Sequence, residues 1–144
     1  MEEMIAVADL IYPNYTEACY LTENEYATDG VDKATAFQLL DELHARGAKS
    51  VLITSIMVDG QHCVAGFNHT TGEHFLLGYT EIPVRFPGTG DIFSAVLIGH
   101  LLDGMELKPS VRKAMDAVYA LIDHNKDNKD KNAGIPVESY LYML

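Results

Sequence analysis

Four consecutive residues near the middle of the chain, Gly88, Thr89, Gly90 and Asp91, have the types and the spacing of an anion-binding site. The apolar run that follows them ends at Gly104, which predicts a buried helix closed by a left-handed glycine. The Gly-Thr-Gly segment is then a loop that leads into the N-terminus of this helix. Unpaired N–H groups at such a terminus attract phosphate or a developing oxyanion, and glycine lets the backbone approach the anion closely.

Asp91 has a purely structural interpretation as well, because Asp is among the preferred N-cap residues of helices. A Gly-x-Gly-Asp pattern by itself is a weak signal. In its context the segment resembles the Gly-Thr-Gly-Asp anion-hole motif of the ribokinase-like small-molecule kinases. That resemblance implies that Gly88, Thr89 and Gly90 form the anion hole and that Asp91 is the catalytic base.

The wider chain resembles the C-terminal half of a pyridoxal or pyridoxamine kinase. Three further segments carry this resemblance, and they come in the family's order: residues 8–18 (Ala-Asp-Leu-Ile-Tyr-Pro-Asn-Tyr-Thr-Glu-Ala), residues 50–55 (Ser-Val-Leu-Ile-Thr-Ser) and the helix expected over residues 110–125. From the first to the last they span residues 8–125 of the 144-residue chain. The resemblance implies the C-terminal half of a ribokinase-like α/β fold.

Two further pairs of residues receive roles from the resemblance. Asn14 and Glu17 would help to organise Mg²⁺ and its waters near the nucleotide phosphates, and Glu17 would be the metal-binding carboxylate. Such a cation prefers oxygen ligands and often takes only one or two carboxylates. Thr54 and Ser55 would contact the phosphates. The alternatives from the residues alone are that Asn14 caps a helix and that the two hydroxyls make ordinary hydrogen bonds at a strand end.

The adenine site is the least specific of these assignments. By resemblance one of its walls would be formed by four consecutive residues: Tyr79, Thr80, Glu81 and Ile82. No side-chain chemistry in this segment demands that role.

The order of elements predicts a mixed sheet. The apolar centre of residues 50–55 suits a strand covered on both faces, as in a parallel sheet. Asp59-Gly60 predicts a hairpin, and a second turn at residues 68–72 extends it into an antiparallel meander. Helices are expected over residues 32–46, over residues 110–125 and, for a short final helix, over residues 137–144. We therefore expect a partly parallel sheet flanked by helices, in a single domain of residues 1–144.

Composition limits the functional classes. A formal net charge of −11 argues against nucleic acid or an anionic membrane as partner. No apolar stretch has the length of a membrane span, and the first residues lack the basic region of a signal peptide, so a cytoplasmic location is expected. Cys19 and Cys63 have no partner at metal-binding spacing and are expected to be reduced packing residues.

The charge on a bound nucleotide needs a counterbalance. No Gly-Lys-Ser/Thr sequence is present, and the cation nearest to the anion-binding segment is Arg85. Charge compensation is therefore expected to come from backbone amides and from Mg²⁺, with ATP as phosphoryl donor.

The function expected from the resemblance is an ATP-dependent kinase that phosphorylates the hydroxymethyl group of pyridoxal, pyridoxamine or pyridoxine. A hydroxymethylpyrimidine or sugar kinase of the same superfamily remains an alternative, as does a non-catalytic nucleotide-binding or oligomerisation module. The N-terminal half, which binds the acceptor in this family, has no counterpart in the sequence, so a fragment or a mis-started reading frame is expected. A half-sheet exposes strand edges and apolar surface, which predicts a homo-oligomer.

Overall fold

The computed structural model describes residues 2–130 and 132–144, and only the backbone of Glu2. These residues form two compact units, which divide between Thr80 and Glu81. Each unit has its own set of elements. The single domain expected from the sequence stays a prediction.

The first unit contains a four-stranded sheet, built of β1 (Leu10–Ile11), β2 (Ser50–Val58), β3 (Gln61–Asn68) and β4 (Glu73–Gly78) in that spatial order. Strands β1 and β2 are parallel, whereas β2, β3 and β4 form an antiparallel meander. The partly parallel sheet with a meander, expected from the sequence, is confirmed. The elements in chain order are α1 (Glu2–Ile5), β1 (Leu10–Ile11), α2 (Tyr15–Thr22), α3 (Lys33–Ala45), β2 (Ser50–Val58), β3 (Gln61–Asn68) and β4 (Glu73–Gly78).

One core holds the helices of this unit to its sheet. Helix α3 buries four apolar residues that recur at helical spacing: Ala36, Leu39, Leu40 and Leu43. They belong to the same cluster as Val51 and Ile53 of β2 and as Cys63 and Ala65 of β3. Asp32 caps α3 through a hydrogen bond from the Thr35 N–H to its carboxylate. Hydrogen bonding from the Thr35 side chain, and then from this N–H, holds the pKa of the Asp32 carboxyl below its usual range.

Strand β2 is longer than the sequence suggested. It continues through Ser55 to Val58, and its pairing with β3 shifts register between Ile53 and Ile56. Ser55 lies in this irregularity with a φ of +54°. The expected hairpin follows, with positive φ at both Asp59 and Gly60, as the right-handed twist of the paired strands favours.

The second unit contains two long helices, α4 (Thr89–Leu102) and α5 (Leu107–Asn125). The left-handed glycine expected between them is present, since Gly104 has a φ of +85°. Helix α5 begins earlier than the expected start at residues 109–110, because Pro109 is tolerated in a first turn, where its missing N–H costs no helical hydrogen bond. Its buried stripe consists of Leu107, Ser110, Val111, Ala114, Met115, Ala117, Leu121 and Asn125.

Two expectations for this unit are wrong. The final helix expected over residues 137–144 is replaced by two 3₁₀ turns, Val137–Ser139 and Leu141–Met143. A helix of this length is only marginally stable unless one of its faces is buried. Tyr142 in this segment is 82% exposed. Helix α4 is not buried all round. Only Ile92, Val96 and Leu97 are buried, whereas Leu102 is 82% exposed.

No helix among the described residues has both the length and the apolar character needed to cross a membrane. Cys19 and Cys63 are free thiols and are buried. Burial raises the pKa of the Cys63 thiol to about 11. Cys63 is therefore protonated at neutral pH and acts as a packing residue.

The close approach of Gly66 in β3 to the ring of Phe75 generates a stability prediction. A Cβ on Gly66 would lie 2.2 Å from Cζ of this buried ring, so Gly66→Ala should lower the free energy of unfolding by about 1–3 kcal/mol. Urea denaturation followed by circular dichroism measures the change. Gly99→Ala is the control, because its Cβ meets no atom within 4 Å in mid-helix, and it should stabilise the chain by about 0.5–1 kcal/mol. Equal effects of the two substitutions would contradict the packing of Phe75 on Gly66.

Candidate functional site

Helix α4 begins one turn earlier than the sequence suggested. Its N-cap is Gly88, with a φ of +85°, and no side chain caps the helix. Asp91 is the third helical residue, so its interpretation as the N-cap is wrong. The glycine occupies that position because the left-handed backbone there is strained for other residues.

The first turn of α4 leaves backbone donors available. The first N–H that bonds back to this turn is that of Ile92, which donates to the Gly88 carbonyl oxygen at 3.1 Å. The N–H groups of Thr89, Gly90 and Asp91 precede it and have no intrahelical acceptor. Together with the positive end of the helix dipole, these three N–H groups can bind an anion.

The space in front of these donors is open. A Cβ built on Gly88 or Gly90 meets no atom within 4 Å. Asp91 is exposed, and no hydrogen bond among the described residues engages its carboxylate. The Thr89 hydroxyl donates back to the Phe86 carbonyl oxygen at 3.4 Å. We name the backbone of residues 88–91 the anion cup; a free carboxylate lies next to it.

In the first unit, Asn14 and Glu17 form a reciprocal cap on α2. The Glu17 N–H donates to Oδ1 of Asn14, and the Asn14 N–H donates to Oε2 of Glu17, both at 2.9 Å. The capping role considered for Asn14 is thus confirmed. Glu17 is exposed, and its Oε1 takes no part in this pair.

Thr54 and Ser55 lie beside this cap. Thr54 forms a parallel bridge with Asn14, and its N–H donates to the Pro13 carbonyl oxygen at 3.0 Å. The expectation that both hydroxyls lie at the end of β2 is wrong, because the strand continues to Val58. They lie instead where pairing with the parallel neighbour ends and the irregularity begins. The structure therefore brings Asn14, Glu17, Thr54 and Ser55 to one edge of the first unit.

The proposed adenine wall has no regular secondary structure. Tyr79 closes the meander, since its N–H donates to the His62 carbonyl oxygen at 2.9 Å. Tyr79 and Thr80 belong to the first unit, and Glu81 and Ile82 to the second. Their role in nucleotide binding stays a prediction.

A magnesium ion would find few protein ligands in the first unit. Within residues 2–130 and 132–144, no three His, Cys, Asp or Glu side chains are grouped as a metal site. Mg²⁺ usually keeps several waters and needs only one or two carboxylates. The exposed carboxylate of Glu17, with one oxygen outside the cap, fits that requirement.

One neighbour of the anion cup was not recognised from the sequence. Residues 128–138 follow α5, and a Cβ built on Gly134 would lie 3.6 Å from the Pro87 carbonyl oxygen. The alternating charges of residues 126–132 in the sequence predict only a solvated loop. No pattern in the sequence places this loop against the turn before Gly88.

Comparison with known proteins decides the family. A family model described as phosphomethylpyrimidine kinase matches residues 1–136. The chain belongs to this kinase family. Its relatives include pyridoxal kinases, and the chain matches about half of each of them. This confirms the resemblance to the C-terminal half of a pyridoxal kinase.

A pyridoxal kinase of Arabidopsis thaliana is 32% identical over 145 residues, which cover 97% of this chain and 46% of the relative. A putative phosphomethylpyrimidine kinase of Bacteroides thetaiotaomicron, crystallised with pyridoxal, is 28% identical with a TM-score of 0.87 over 98% of this chain and 50% of the other. Plasmodium falciparum PdxK, crystallised with AMP-PNP and PL, shares the fold at 21% identity, with a TM-score of 0.79 over 99% of this chain and 48% of the other. The chain thus spans about half the length of the relatives it matches.

The open space at Gly90 generates a prediction about anion binding. In Gly90→Ala the new methyl group would occupy the approach to the anion cup, while helix propensity rises. We expect the affinity for inorganic tripolyphosphate to fall by about tenfold, with no loss of thermal stability. Isothermal titration calorimetry and a thermal melt measure the two quantities. Gly99→Ala makes the same change elsewhere on α4 and should leave the affinity unchanged; equal affinity of both variants would contradict an anion site at residues 88–91.

Proposed function

We propose that this chain is the nucleotide-binding half of an ATP-dependent kinase that phosphorylates the hydroxymethyl group of pyridoxal, pyridoxamine or pyridoxine. The observation that carries the proposal is the first turn of α4. It combines unpaired backbone donors, open space in front of Gly88 and Gly90, and the exposed, unengaged carboxylate of Asp91.

The chemistry proposed for this turn is phosphoryl transfer, which depends on alignment and on compensation of negative charge. The amides of the anion cup would bind oxygens of the terminal phosphoryl group. The acceptor hydroxyl oxygen would form the new bond to the γ-phosphorus as the bond from that phosphorus to the β,γ-bridging oxygen breaks and ADP leaves. Asp91 would orient the hydroxyl group and accept its proton.

The polar edge of the first unit is also proposed to take part in nucleotide binding. Glu17 would hold Mg²⁺ through water or directly, and Asn14, Thr54 and Ser55 would contact the phosphates. Mg²⁺ would supply the positive charge that other nucleotide sites take from a lysine in a glycine-rich loop. The adenine wall at Tyr79, Thr80, Glu81 and Ile82 remains part of the proposal.

The acceptor has a second candidate. The description of the matching family favours a phosphomethylpyrimidine, or its hydroxymethyl precursor. Pyridoxal is the stronger candidate, because a relative at 32% identity is a pyridoxal kinase and a structural neighbour at 28% identity was crystallised with pyridoxal. A sugar acceptor or a non-catalytic nucleotide-binding module remains a possible outcome of the test.

The proposal predicts a specific loss in Asp91→Asn. A coupled assay of ADP release, with pyridoxal, pyridoxamine and hydroxymethylpyrimidine as acceptors, should show turnover when this chain is joined to an acceptor-binding half such as its longer relatives contain. Asp91→Asn should lower kcat by about 10²–10⁴-fold, while ATP still binds. Asp103→Asn, which changes an exposed Asp at the other end of α4, should keep normal turnover. Nucleotide binding without turnover on any acceptor would instead favour the non-catalytic module.

The role of Glu17 can be separated from its cap. Gln can make the same hydrogen bond to the Asn14 N–H, so Glu17→Gln should leave the stability of α2 within about 1 kcal/mol of the unchanged chain. Removing the charge should raise the Mg²⁺ concentration needed for half-maximal ATP binding by about tenfold. Glu23→Gln, at the other end of α2, is the control. ATP binding that is unaffected by chelation of divalent ions would overturn this account of charge compensation.

We further propose that the chain forms a homo-oligomer through α4. Ala95, Ile98, Gly99 and Leu102 are exposed at helical spacing, and a second copy of this chain would present the same apolar stripe. Light scattering should show a mass that rises with concentration, and Leu102→Glu should shift it to the monomer. Tyr119→Glu, at an exposed position on α5, should not. A monomer at high concentration would refute self-association.

A further inference from the structure

Tyr15 is a buried residue of the first unit to which the roles proposed above assign nothing. It is the first residue of α2 and lies in sequence between the cap residue Asn14 and Glu17. It is only 4% exposed, and it belongs to the core cluster that holds the helices to the sheet. A hydroxyl group in such a place needs a hydrogen-bond partner.

The partner of the Tyr15 hydroxyl is the segment that returns from α2 towards the sheet. We name residues 23–31 the return segment. The N–H of Ala27 donates to Oη of Tyr15 at 3.2 Å, and the ring of Tyr26 packs against the Tyr15 ring with 5.0 Å between the centroids. Tyr15 therefore holds the middle of the return segment against the first turn of α2.

The end of the return segment pairs with β2. Val31 forms a parallel bridge with Val58. Its N–H donates to the Met57 carbonyl oxygen, and its own carbonyl oxygen accepts from the Asp59 N–H, both at 2.9 Å. The approach is close, since a Cβ built on Gly30 would lie 2.4 Å from the same Met57 carbonyl oxygen.

The parallel side of β2 thus has two bridges that come from different points of the chain. Asn14 lies opposite Thr54, and Val31 lies opposite Val58. Ser55 is between the two bridges, at the irregularity of the strand. Helix α2 and the return segment connect the bridges, and the hydrogen bond to the tyrosine hydroxyl ties this connection together. That one contact therefore bears on the whole polar edge.

The hydroxyl group makes this contact without adding a charge. Burial is the largest cause that raises the pKa of Tyr15 above its ordinary value, and the hydrogen bond from the Ala27 N–H opposes the rise. Tyr15 is therefore neutral at every pH at which nucleotide binding is measured. It accepts from Ala27 and places no second negative charge near the carboxylate of Glu17.

We propose that Tyr15 is a positioning residue for the metal and phosphate contacts of Asn14 and Glu17. By holding the return segment, its hydroxyl keeps the first turn of α2 in the orientation that leaves Oε1 of Glu17 open to a cation. The proposal rests on the proposed function, because the cation and the phosphates are assigned to this edge there.

The test removes the hydroxyl and keeps the ring in the core. We expect Tyr15→Phe to raise the Mg²⁺ concentration needed for half-maximal ATP binding by about threefold in calorimetry. Binding of inorganic tripolyphosphate without Mg²⁺, which is assigned to the anion cup, should be unchanged. Tyr20→Phe makes the same change at an 80% exposed position of α2. It is the matched control and should alter neither quantity.

A second measurement reports the geometry of the turn without any nucleotide. The N–H groups of Asn14 and Glu17 donate within the reciprocal cap, so their NMR resonances respond to its geometry. Both resonances should shift in Tyr15→Phe and keep their positions in Tyr20→Phe. Hydrogen exchange at the Ala27 amide should become faster in Tyr15→Phe alone.

A second variant removes the other partner of the hydrogen bond. Ala27→Pro lacks the donor and leaves Tyr15 in place. If the contact between the two residues carries the effect, adding Tyr15→Phe to Ala27→Pro should not raise the Mg²⁺ requirement further. Circular dichroism checks that each variant keeps the helix content of the unchanged chain.

A purely structural role has a different result. Tyr15→Phe would then lower the free energy of unfolding and leave the Mg²⁺ requirement and the two cap resonances unchanged, which would overturn the proposal. Equal effects of Tyr15→Phe and Tyr20→Phe would overturn it as well. Failure of the proposed function is distinguishable from both: the unchanged chain would bind neither ATP nor tripolyphosphate, and the role of Tyr15 would fall with it.

Discussion

Strand β2 is the constraint on which the first unit depends. Its centre, Val51 to Ile53, is fully buried, and the strand pairs with a parallel neighbour on one side and an antiparallel one on the other. Because side chains alternate along a strand, a slip of one residue would exchange its two faces and remove Val51 and Ile53 from the core cluster that they share with α3. The register is therefore strongly specified. That register in turn sets the bridge between Asn14 and Thr54, and with it the polar edge beside α2.

The function proposed for the second unit depends on how one helix starts. A left-handed glycine at the N-cap leaves no side chain over the first amides of α4, whereas Ser, Thr or Asp at this position would itself accept a hydrogen bond from them. The helix thus lacks the stabilisation of a side-chain cap, worth about 1 kcal/mol, and keeps its donors open. Sites that trade local stability for binding often have this character. The carboxylate of the neighbouring Asp91 likewise makes no hydrogen bond with any described residue.

Patterns whose cause is local were readable from the sequence. The Asp59-Gly60 hairpin needs positive φ at both positions, and only a few residue types tolerate that conformation. Helix α3 was placed to within a residue because its regular apolar stripe and Gly47, just past its end, agree. The sequence also offered Asn14 as a helix cap, because capping depends on the residue type at a single position.

Features that depend on distant packing were not readable. The apolar composition of α4 predicts a buried helix. Composition does not show which elements cover each face of the helix, however, and the face formed by Ala95, Ile98, Gly99 and Leu102 is exposed. The length of β2 depends on its pairing with β3 beyond Ser55, not on its own residues. The position of Gly134 beside Pro87 joins segments almost fifty residues apart, and no local signal marks such a contact.

The reciprocal cap at α2 has a thermodynamic consequence. One oxygen of the Glu17 carboxylate is committed to the Asn14 amide, so a cation that took this oxygen would release a backbone donor and loosen the first turn of the helix. A cation that used only the other oxygen would leave the turn intact and polarise the shared carboxylate. In the first case metal occupancy and helix order would be linked, and each would alter the other by the same free energy. Under the role proposed for Glu17, the rigidity of this edge would then respond to the divalent ion concentration.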